Sequence, residues 1–269
     1  MTPAKAKKTK RAKPGPISSG RRLLVRTWRD FRTHWKPYLK ITALVFVPVN
    51  ALSVLAALAN DSGFNAYATI ATVVMTIALL WTIIELGRGG AVPTLQQAYY
   101  QGTAAFVRYV LVGLWLLLML IPAGIGSFIY ALGAAPPPGV LVTASDALFI
   151  NTLALAFAIP SVWLLTRFGL ALNATIVDHK TPWQALKYSR RLTLGRFWRV
   201  LARQLVMALV LVLMGAVTYL PVAGLGLVFH QSPVLSAFYS LLFMIMAWPF
   251  MALYSLKLYD DLNKTQVSA

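Results

Sequence analysis

The chain has 269 residues, of which 58% are hydrophobic and 12% charged. Soluble domains carry about 25% charged residues, and several apolar runs here continue for about twenty residues, which excludes a soluble globular protein. The chain has 25 Lys and Arg against 7 Asp and Glu, and it has no cysteine, which excludes disulfides, thiolate metal sites and cysteine nucleophiles. The composition therefore predicts an integral membrane protein.

The first part of the chain is basic. Residues 1–17 combine Lys, Pro and Gly with almost nothing to bury, which predicts a disordered tail. Apolar residues then recur at intervals of three and four from Leu24 through Trp28 and Trp35 to Tyr38, with Arg residues on the other faces. This pattern predicts an amphipathic helix that lies among lipid headgroups, packs against other cytoplasmic helices, or does both.

Six apolar segments follow, each with the length that a helix needs to cross a hydrocarbon core about 30 Å thick. Helix is the expected state because lipid offers the backbone no hydrogen-bond partner. We expect kinks at the prolines inside these segments, which are Pro48, Pro122, Pro160, Pro221 and Pro249. The predicted spans are about 41–58, 66–86, 109–131, 147–166, 204–228 and 234–256.

Positive charges are confined to alternate connections between these spans. The segment before the first span holds 13 Lys and Arg, and the connection 167–203 holds eight, whereas 59–65, 132–146 and 229–233 hold none. The positive-inside rule therefore predicts that both termini are cytoplasmic. A signal peptide cleaved near Leu58 is the alternative, but its basic region and apolar run would be unusually long.

The three positive segments share one spacing, in which a leucine precedes an aromatic residue by eleven positions, shortly before an apolar span. This spacing predicts an all-α membrane domain of six transmembrane helices, built as three repeated hairpins that each follow a cytoplasmic amphipathic helix. Basic and aromatic residues before alternate spans would also occur without a repeat. The predicted repeats are 18–90, 91–178 and 179–262, and 263–269 forms a C-terminal tail. The matching pairs are Leu24 and Trp35, Leu95 and Phe106, and Leu186 and Phe197.

The third amphipathic helix has recognisable ends. Thr181 and Gln184 have the spacing of a capping box, and Pro182 suits the first turn. Gly195 allows the helix to end before the fifth span begins.

The residues around this helix resemble a bacterial membrane-protein family. The resemblance lies in the stretch from Arg167 to Asp178, in the stretch from Thr181 to Leu201 with its Gly-Arg-Phe-Trp sequence, and in Leu258-Tyr259-Asp260-Asp261-Leu262. In these stretches the chain is similar to the membrane domain fused to some glycerophosphodiester phosphodiesterases and to related inner-membrane proteins. Asp178 occupies a position where that family often has Glu. The resemblance implies a fold and a location in the bacterial plasma (inner) membrane.

No catalytic constellation stands out in the sequence. The His-Arg-Gly start and the clustered acidic ligands of those phosphodiesterases are absent, since Glu85 is the only Glu and the three His residues lie far apart. We therefore expect no catalytic residues, no metal site, no cofactor and no enzymatic activity. The basic tail carries no recognisable nucleic-acid-binding module, so nucleic acid is not expected as a partner.

Two groups of candidate functional residues remain. Interfacial aromatic and basic residues are expected to contact anionic lipid headgroups: Trp28, Arg29, Trp35, Lys187, Arg190, Arg191, Arg196 and Trp198. Polar residues in or beside the spans form a candidate intramembrane polar site: Glu85, Arg167, Asn173 and Asp178. Local snorkelling pairs, such as Glu85 with Arg88, would explain the second group without a site.

The sequence thus predicts a non-enzymatic multi-pass protein that contacts lipid headgroups or moves a small or amphipathic molecule across the membrane. The alternative is a scaffold or assembly factor that recruits a protein partner through its basic cytoplasmic helices. A polar cavity within the bundle would favour the first function. A closed apolar bundle with an exposed cytoplasmic groove would favour the second.

Overall fold

The computed structural model describes residues 18–59, 76–77, 79–89, 96–97, 100, 106–134, 144–229 and 233–267. The regular structure in these ranges is helical, which confirms the predicted all-α class. The basic tail, most of the second span and the second amphipathic helix lie outside the described residues. Besides the helical residues 79–87, the helices are α1 (Gly20–Thr33), α2 (Trp35–Ala59), α3 (Phe106–Met119), α4 (Ile121–Ala134), α5 (Ala144–Phe168), α6 (Ala171–Val177), α7 (Pro182–Thr193), α8 (Phe197–Phe229) and α9 (Pro233–Val267).

Three helical stretches in the described residues are long and apolar enough to cross a membrane: Leu148–Val177, Phe197–Pro221 and Ala237–Thr265. Helices α3 and α4 would form a fourth span if they are counted together, although they bend by 47° at their junction. Their length and composition support an integral membrane protein. The full set of six spans and the threefold repeat stay predictions.

The third predicted span is broken at Pro122. Helix α3 ends at Met119 and α4 begins at Ile121, because the proline has no N–H and its ring crowds the preceding turn. The N–H of Ala123, at the start of α4, donates instead to Ser161 Oγ of α5 at 3.0 Å. The expected kink is confirmed here, whereas the other span prolines lie inside helices that continue through them: Pro48, Pro160, Pro221 and Pro249.

Helices α4 and α5 approach each other closely through glycines. A Cβ atom on Gly126 would lie 2.7 Å from the carbonyl oxygen of Ala154, and one on Gly133 would overlap the Ile150 side chain. Small residues allow backbones in lipid to pack at short range, where dispersion rather than hydrophobic transfer drives association. The α4–α5 hairpin therefore depends on the absence of side chains at these two positions.

The second half of α9 lies at the centre of the packed helices. Tyr254, Leu258 and Leu262 are buried in one cluster with residues of α1, α6 and α7, while Leu253 belongs to another cluster with α2 and the helical residues 79–87. Each large apolar side chain that is fully buried contributes about 1.5–3 kcal/mol in a water-accessible region. Helix α9 continues to Val267 and includes most of the predicted C-terminal tail.

Helix α1 packs its apolar face on α9 rather than exposing it to lipid. Leu23, Thr27 and Phe31 are buried, and the Phe31 ring meets Phe250 of α9 edge-on at 6.3 Å. Trp28 is 52% exposed. The predicted stripe is therefore divided, because its tryptophans face outward while its other rings join the core.

The predicted ends of the third amphipathic helix, α7, are confirmed. The N–H of Thr181 donates to Gln184 Oε1 at 3.4 Å in a capping box. After the last helical residue, Thr193, Gly195 adopts a φ of +73°. That left-handed conformation is strained for residues with a Cβ atom and explains the glycine.

Candidate functional site

Acidic and basic side chains meet near the C-terminal end of α9. Three ion pairs connect α9 to α1 and to residue 88. A fourth pair lies within the connection between α6 and α7. Pairs as exposed as that of Arg26, which is 51% exposed, contribute less than about 1 kcal/mol each, so they orient helices more than they stabilise them. We call the eight paired residues the polar collar: Arg26 with Asp261 (3.8 Å), Arg88 with Asp260 (3.7 Å), Lys180 with Asp178 (2.6 Å) and Lys257 with Asp30.

Asp178 is the best-bonded acid of the collar. It accepts hydrogen bonds from Lys180 Nζ and from the Tyr259 hydroxyl, both at 2.6 Å. Burial opposes ionisation of this carboxyl, but the two hydrogen bonds and the positive charges of Lys180 and Arg88 outweigh it and lower the pKa of Asp178. The carboxylate is therefore a charged acceptor that holds the α6–α7 connection against α9.

Two arginines at the start of α8 are buried and serve the fold. Arg196 is 3% exposed and donates to the hydroxyl and carbonyl oxygens of Thr265, near the end of α9. Arg203 is 9% exposed, and its Nε donates to the Ser18 carbonyl oxygen at 2.9 Å. Arg196 thus differs from the other predicted headgroup contacts, because its guanidinium binds α9 instead of facing outward.

The remaining predicted headgroup residues lie on the surface of the described helices. On α7, Lys187 Nζ lies 5.4 Å from the ring centre of Trp183, which is 59% exposed. Trp198, at the start of α8, is 77% exposed. The exposed members of the predicted set are Trp28, Arg29, Trp35, Lys187, Arg190, Arg191 and Trp198.

The four residues of the predicted intramembrane polar site have separate surroundings. Glu85 lies half-buried at the end of the helical residues 79–87, and the nearby Arg88 pairs with Asp260 of α9. The Arg167 guanidinium stacks over Trp163 at 4.9 Å. Asn173, by contrast, is 7% exposed and points its amide at α9, where Nδ2 donates to Ser255 Oγ at 2.6 Å.

Asn173 and Ser255 line a cavity of about 460 Å³ between α3, α5, α6, α8, α9 and the helical residues 79–87. Its walls are mostly apolar side chains, such as Leu165 and Met207. The amide of Gln204 adds a third polar group, and no Asp, Glu, Lys or Arg is among the described residues that line the cavity. Sites for small ligands have this character, with apolar walls, a few polar groups and a volume of about 300–1,000 Å³.

A break between helices forms part of the cavity wall. Helix α5 ends at Phe168, α6 begins at Ala171, and the intervening Gly169 and Leu170 both line the cavity. The Gly169 N–H bonds back to the Leu165 carbonyl oxygen at 2.7 Å. Irregular backbone is tolerated at membrane depth where it is buried or lines a cavity.

Sequence reasoning identified Asn173 but missed Gln204 and Ser255. Both are single polar residues at or inside predicted spans, which is the pattern that could have indicated them. Local hydrogen bonding to the helix backbone explains many such residues equally well, so the pattern alone selects neither. Their common position becomes visible only when α8 and α9 are packed against α6.

No family model, curated protein or solved structure matches this chain. Among the described residues, no group of three or more His, Asp or Glu side chains is placed to hold a metal ion. The function is therefore inferred from the cavity, the polar collar and the exposed basic helices.

Proposed function

We propose that this chain is a non-enzymatic, multi-pass protein of the bacterial inner membrane that holds an amphipathic molecule inside its helix bundle. The observation that carries this proposal is the cavity of about 460 Å³. Four of the helices around it, α5, α6, α8 and α9, belong to the three stretches that are long and apolar enough to span a membrane. Apolar walls suit a hydrocarbon chain, and the few neutral amide and hydroxyl groups suit the polar end of an amphiphile.

The exposed basic helices support a second part of the proposal, which is contact with anionic lipid headgroups. Trp183 and Trp198 are 59% and 77% exposed, and Lys187 and Arg190 lie on the same exposed surface of α7. Interfacial helices combine aromatic rings that enter the headgroup region with cations that bind phosphates. Each such cation contributes roughly 1 kcal/mol near an anionic membrane.

The proposed topology has six spans in three repeated hairpins, with both termini in the cytoplasm. The polar collar supports it, because basic residues from α1, from residue 88 and from the α6–α7 connection meet at the same end of the bundle. This is the end that the positive-inside rule assigns to the cytoplasm. We also propose that the chain is related to the phosphodiesterase-associated membrane domain, since Asp178, Tyr259 and the two following aspartates all belong to the collar or bind it.

Reporter fusions test this topology. Fusions after Lys264 and within residues 1–17 should both report the cytoplasm, and a fusion within 132–146 should report the exterior, because every Lys and Arg lies in the connections assigned to the inside. The measurement is the ratio of a cytoplasm-active to an exterior-active reporter. An external C-terminus would be incompatible with six spans.

Filling the cavity tests the binding function. The full chain in lipid nanodiscs is irradiated with two probes that share one photoreactive acyl chain, one with a glycerol and one with a glycerol phosphate headgroup. We expect labelled peptides from α6 and α9. Met207→Trp should reduce their labelling about tenfold, or ~1.4 kcal/mol, because the indole occupies the cavity that Met207 lines.

The matched control is Leu209→Trp, at a position on the same helix that is 58% exposed. It adds the same indole outside the cavity and should leave the labelling of α6 and α9 unchanged. Labelling restricted to outward-facing positions in every variant would contradict the proposal. It would favour the scaffold function, for which the specific observation is the exposed apolar surface of Trp183, Leu194 and Trp198.

A further inference from the structure

Three of the polar side chains that line the cavity are neutral amides or a hydroxyl, those of Asn173, Gln204 and Ser255. Asn173 Nδ2 donates to Ser255 Oγ at 2.6 Å, and Asn173 is 7% exposed. Gln204 approaches from α8, with its Nε2 atom 3.8 Å from where a Cβ atom on Gly169 would lie. A side-chain amide both donates and accepts hydrogen bonds, and so does a serine hydroxyl. This side of the cavity therefore matches a ligand group that itself both donates and accepts.

The charged residues close in sequence to this site are engaged elsewhere, including Lys257, two residues after Ser255, which pairs with Asp30. Arg203, next to Gln204, directs Nε to the Ser18 carbonyl oxygen at 2.9 Å. Asp178 pairs with Lys180 at the other end of α6. A charged ligand group would therefore enter a cavity without a counter-ion among its described lining residues, and burying an unpaired charge is costly.

A second polar group lies on α9. The indole Nε1 of Trp248, which also lines the cavity, is buried and has no acceptor among the described residues. Buried donors are nearly always paired, because an unpaired one loses its bond to water without replacement. Trp248 lies seven residues before Ser255, which is two helical turns on the same side of α9. The nitrogen itself is buried away from the cavity space, so the choice of ligand rests on Asn173, Gln204 and Ser255.

We propose that the cavity binds an uncharged lipid with a free hydroxyl group, for which Asn173, Gln204 and Ser255 provide hydrogen bonds. A monoacylglycerol has this chemistry, with hydroxyl groups, an ester oxygen and one acyl chain. This inference rests on the proposed function, since it names the class of amphiphile that the same cavity takes.

The test compares the two photoreactive probes in nanodiscs, because they differ by one phosphate. The monoacylglycerol probe should label α6 and α9 at least about tenfold more than the phosphate probe, since no Lys or Arg is among the described residues around the cavity. Gln204→Leu and Ser255→Ala should each reduce labelling by the neutral probe about fivefold, as expected for the loss of one neutral hydrogen bond.

Thr218→Ala is the control. Thr218 is another buried hydroxyl on α8, it donates to the Met214 carbonyl oxygen at 2.9 Å and it does not line the cavity. Size-exclusion profiles of all variants establish that they are folded. Because Gln204→Leu and Ser255→Ala are tested separately, the inference can still be tested if one of them does not fold.

Each outcome has a distinct meaning. Equal or stronger labelling by the phosphate probe would overturn this inference and leave the proposed function standing. The same conclusion would follow if Gln204→Leu and Ser255→Ala left labelling by the neutral probe unchanged. Labelling of α6 and α9 by neither probe would overturn both.

Discussion

Replacing Gly126 with alanine should destabilise the folded chain by about 2 kcal/mol, within the usual range for overpacking a well-packed interior. The new Cβ atom would lie 2.7 Å from the carbonyl oxygen of Ala154 and 3.0 Å from Phe157 Cβ. The first of these is backbone, so α4 and α5 must separate to accommodate the methyl group. In lipid this separation loses dispersion contacts that no hydrophobic gain replaces. Reversible unfolding in mixed detergent micelles measures the change in free energy.

The control for this substitution is Gly124, two residues earlier on the same helix. A Cβ atom on Gly124 would meet nothing within 4 Å, so Gly124→Ala should be neutral or should stabilise the helix by up to about 1 kcal/mol. Equal stability of the two variants would show that α4 and α5 do not pack through Gly126.

The sequence was sufficient to predict that the protein is helical, because apolar runs of this length have one stable backbone conformation in lipid. It was less informative about the prolines. Pro122 breaks its span, whereas Pro160 lies inside the continuous α5. The difference depends on the neighbours, since Ser161 of the facing helix accepts the hydrogen bond of Ala123 beside the break. A single sequence does not show which helix lies opposite.

Periodicity predicted the existence of α1, but it separated the buried from the exposed positions of this helix only in part. Leu23 and Leu24 are equally apolar, yet Leu23 is fully buried and Leu24 is only partly so. Trp28 belongs to the predicted apolar stripe and is 52% exposed. Protein and lipid are both apolar surroundings, so hydrophobic periodicity does not separate the face that packs on α9 from a face that would meet a membrane.

The candidate site shows the same limit at the level of single residues. The Tyr-Asp-Asp sequence at 259–261 stood out, but its partners come from distant parts of the chain, such as Arg26 and Asp178. Gln204 and Ser255 have no sequence pattern that joins them to Asn173. Their shared cavity results from how α6, α8 and α9 pack, which composition and spacing do not encode directly.

Removing the carboxylate of Asp178 should lower the free energy of unfolding by more than Gly126→Ala does. Tyr259 is fully buried, and its hydroxyl donates to Asp178 Oδ2 at 2.6 Å. Asp178→Ala leaves this buried hydroxyl without its acceptor and Lys180 without its ion pair, so we expect a loss of about 3 kcal/mol in the free energy of unfolding. Tyr259→Phe removes one hydrogen bond to a charged acceptor and should cost about 2 kcal/mol.

A double-mutant cycle separates this contact from the rest of the collar. The double variant should lose about 1.5 kcal/mol less than the sum of the single variants, because both remove the same charged hydrogen bond. Tyr130→Phe, at a tyrosine that is 50% exposed, is the control and should change stability by less than about 0.5 kcal/mol. Additive single effects would mean that Asp178 and Tyr259 do not interact.

The pH dependence gives an independent measurement of the same contact. Because its hydrogen bonds and nearby cations lower the pKa of Asp178 in the folded chain, its contribution to stability is complete above the pKa of the unfolded state. That contribution is lost as the pH falls through the lowered pKa of the folded state. The stability difference between the native chain and Asp178→Ala should therefore shrink on acidification. A difference that stays constant from neutral to acidic pH would show that the side chain acts by packing and not by its charge.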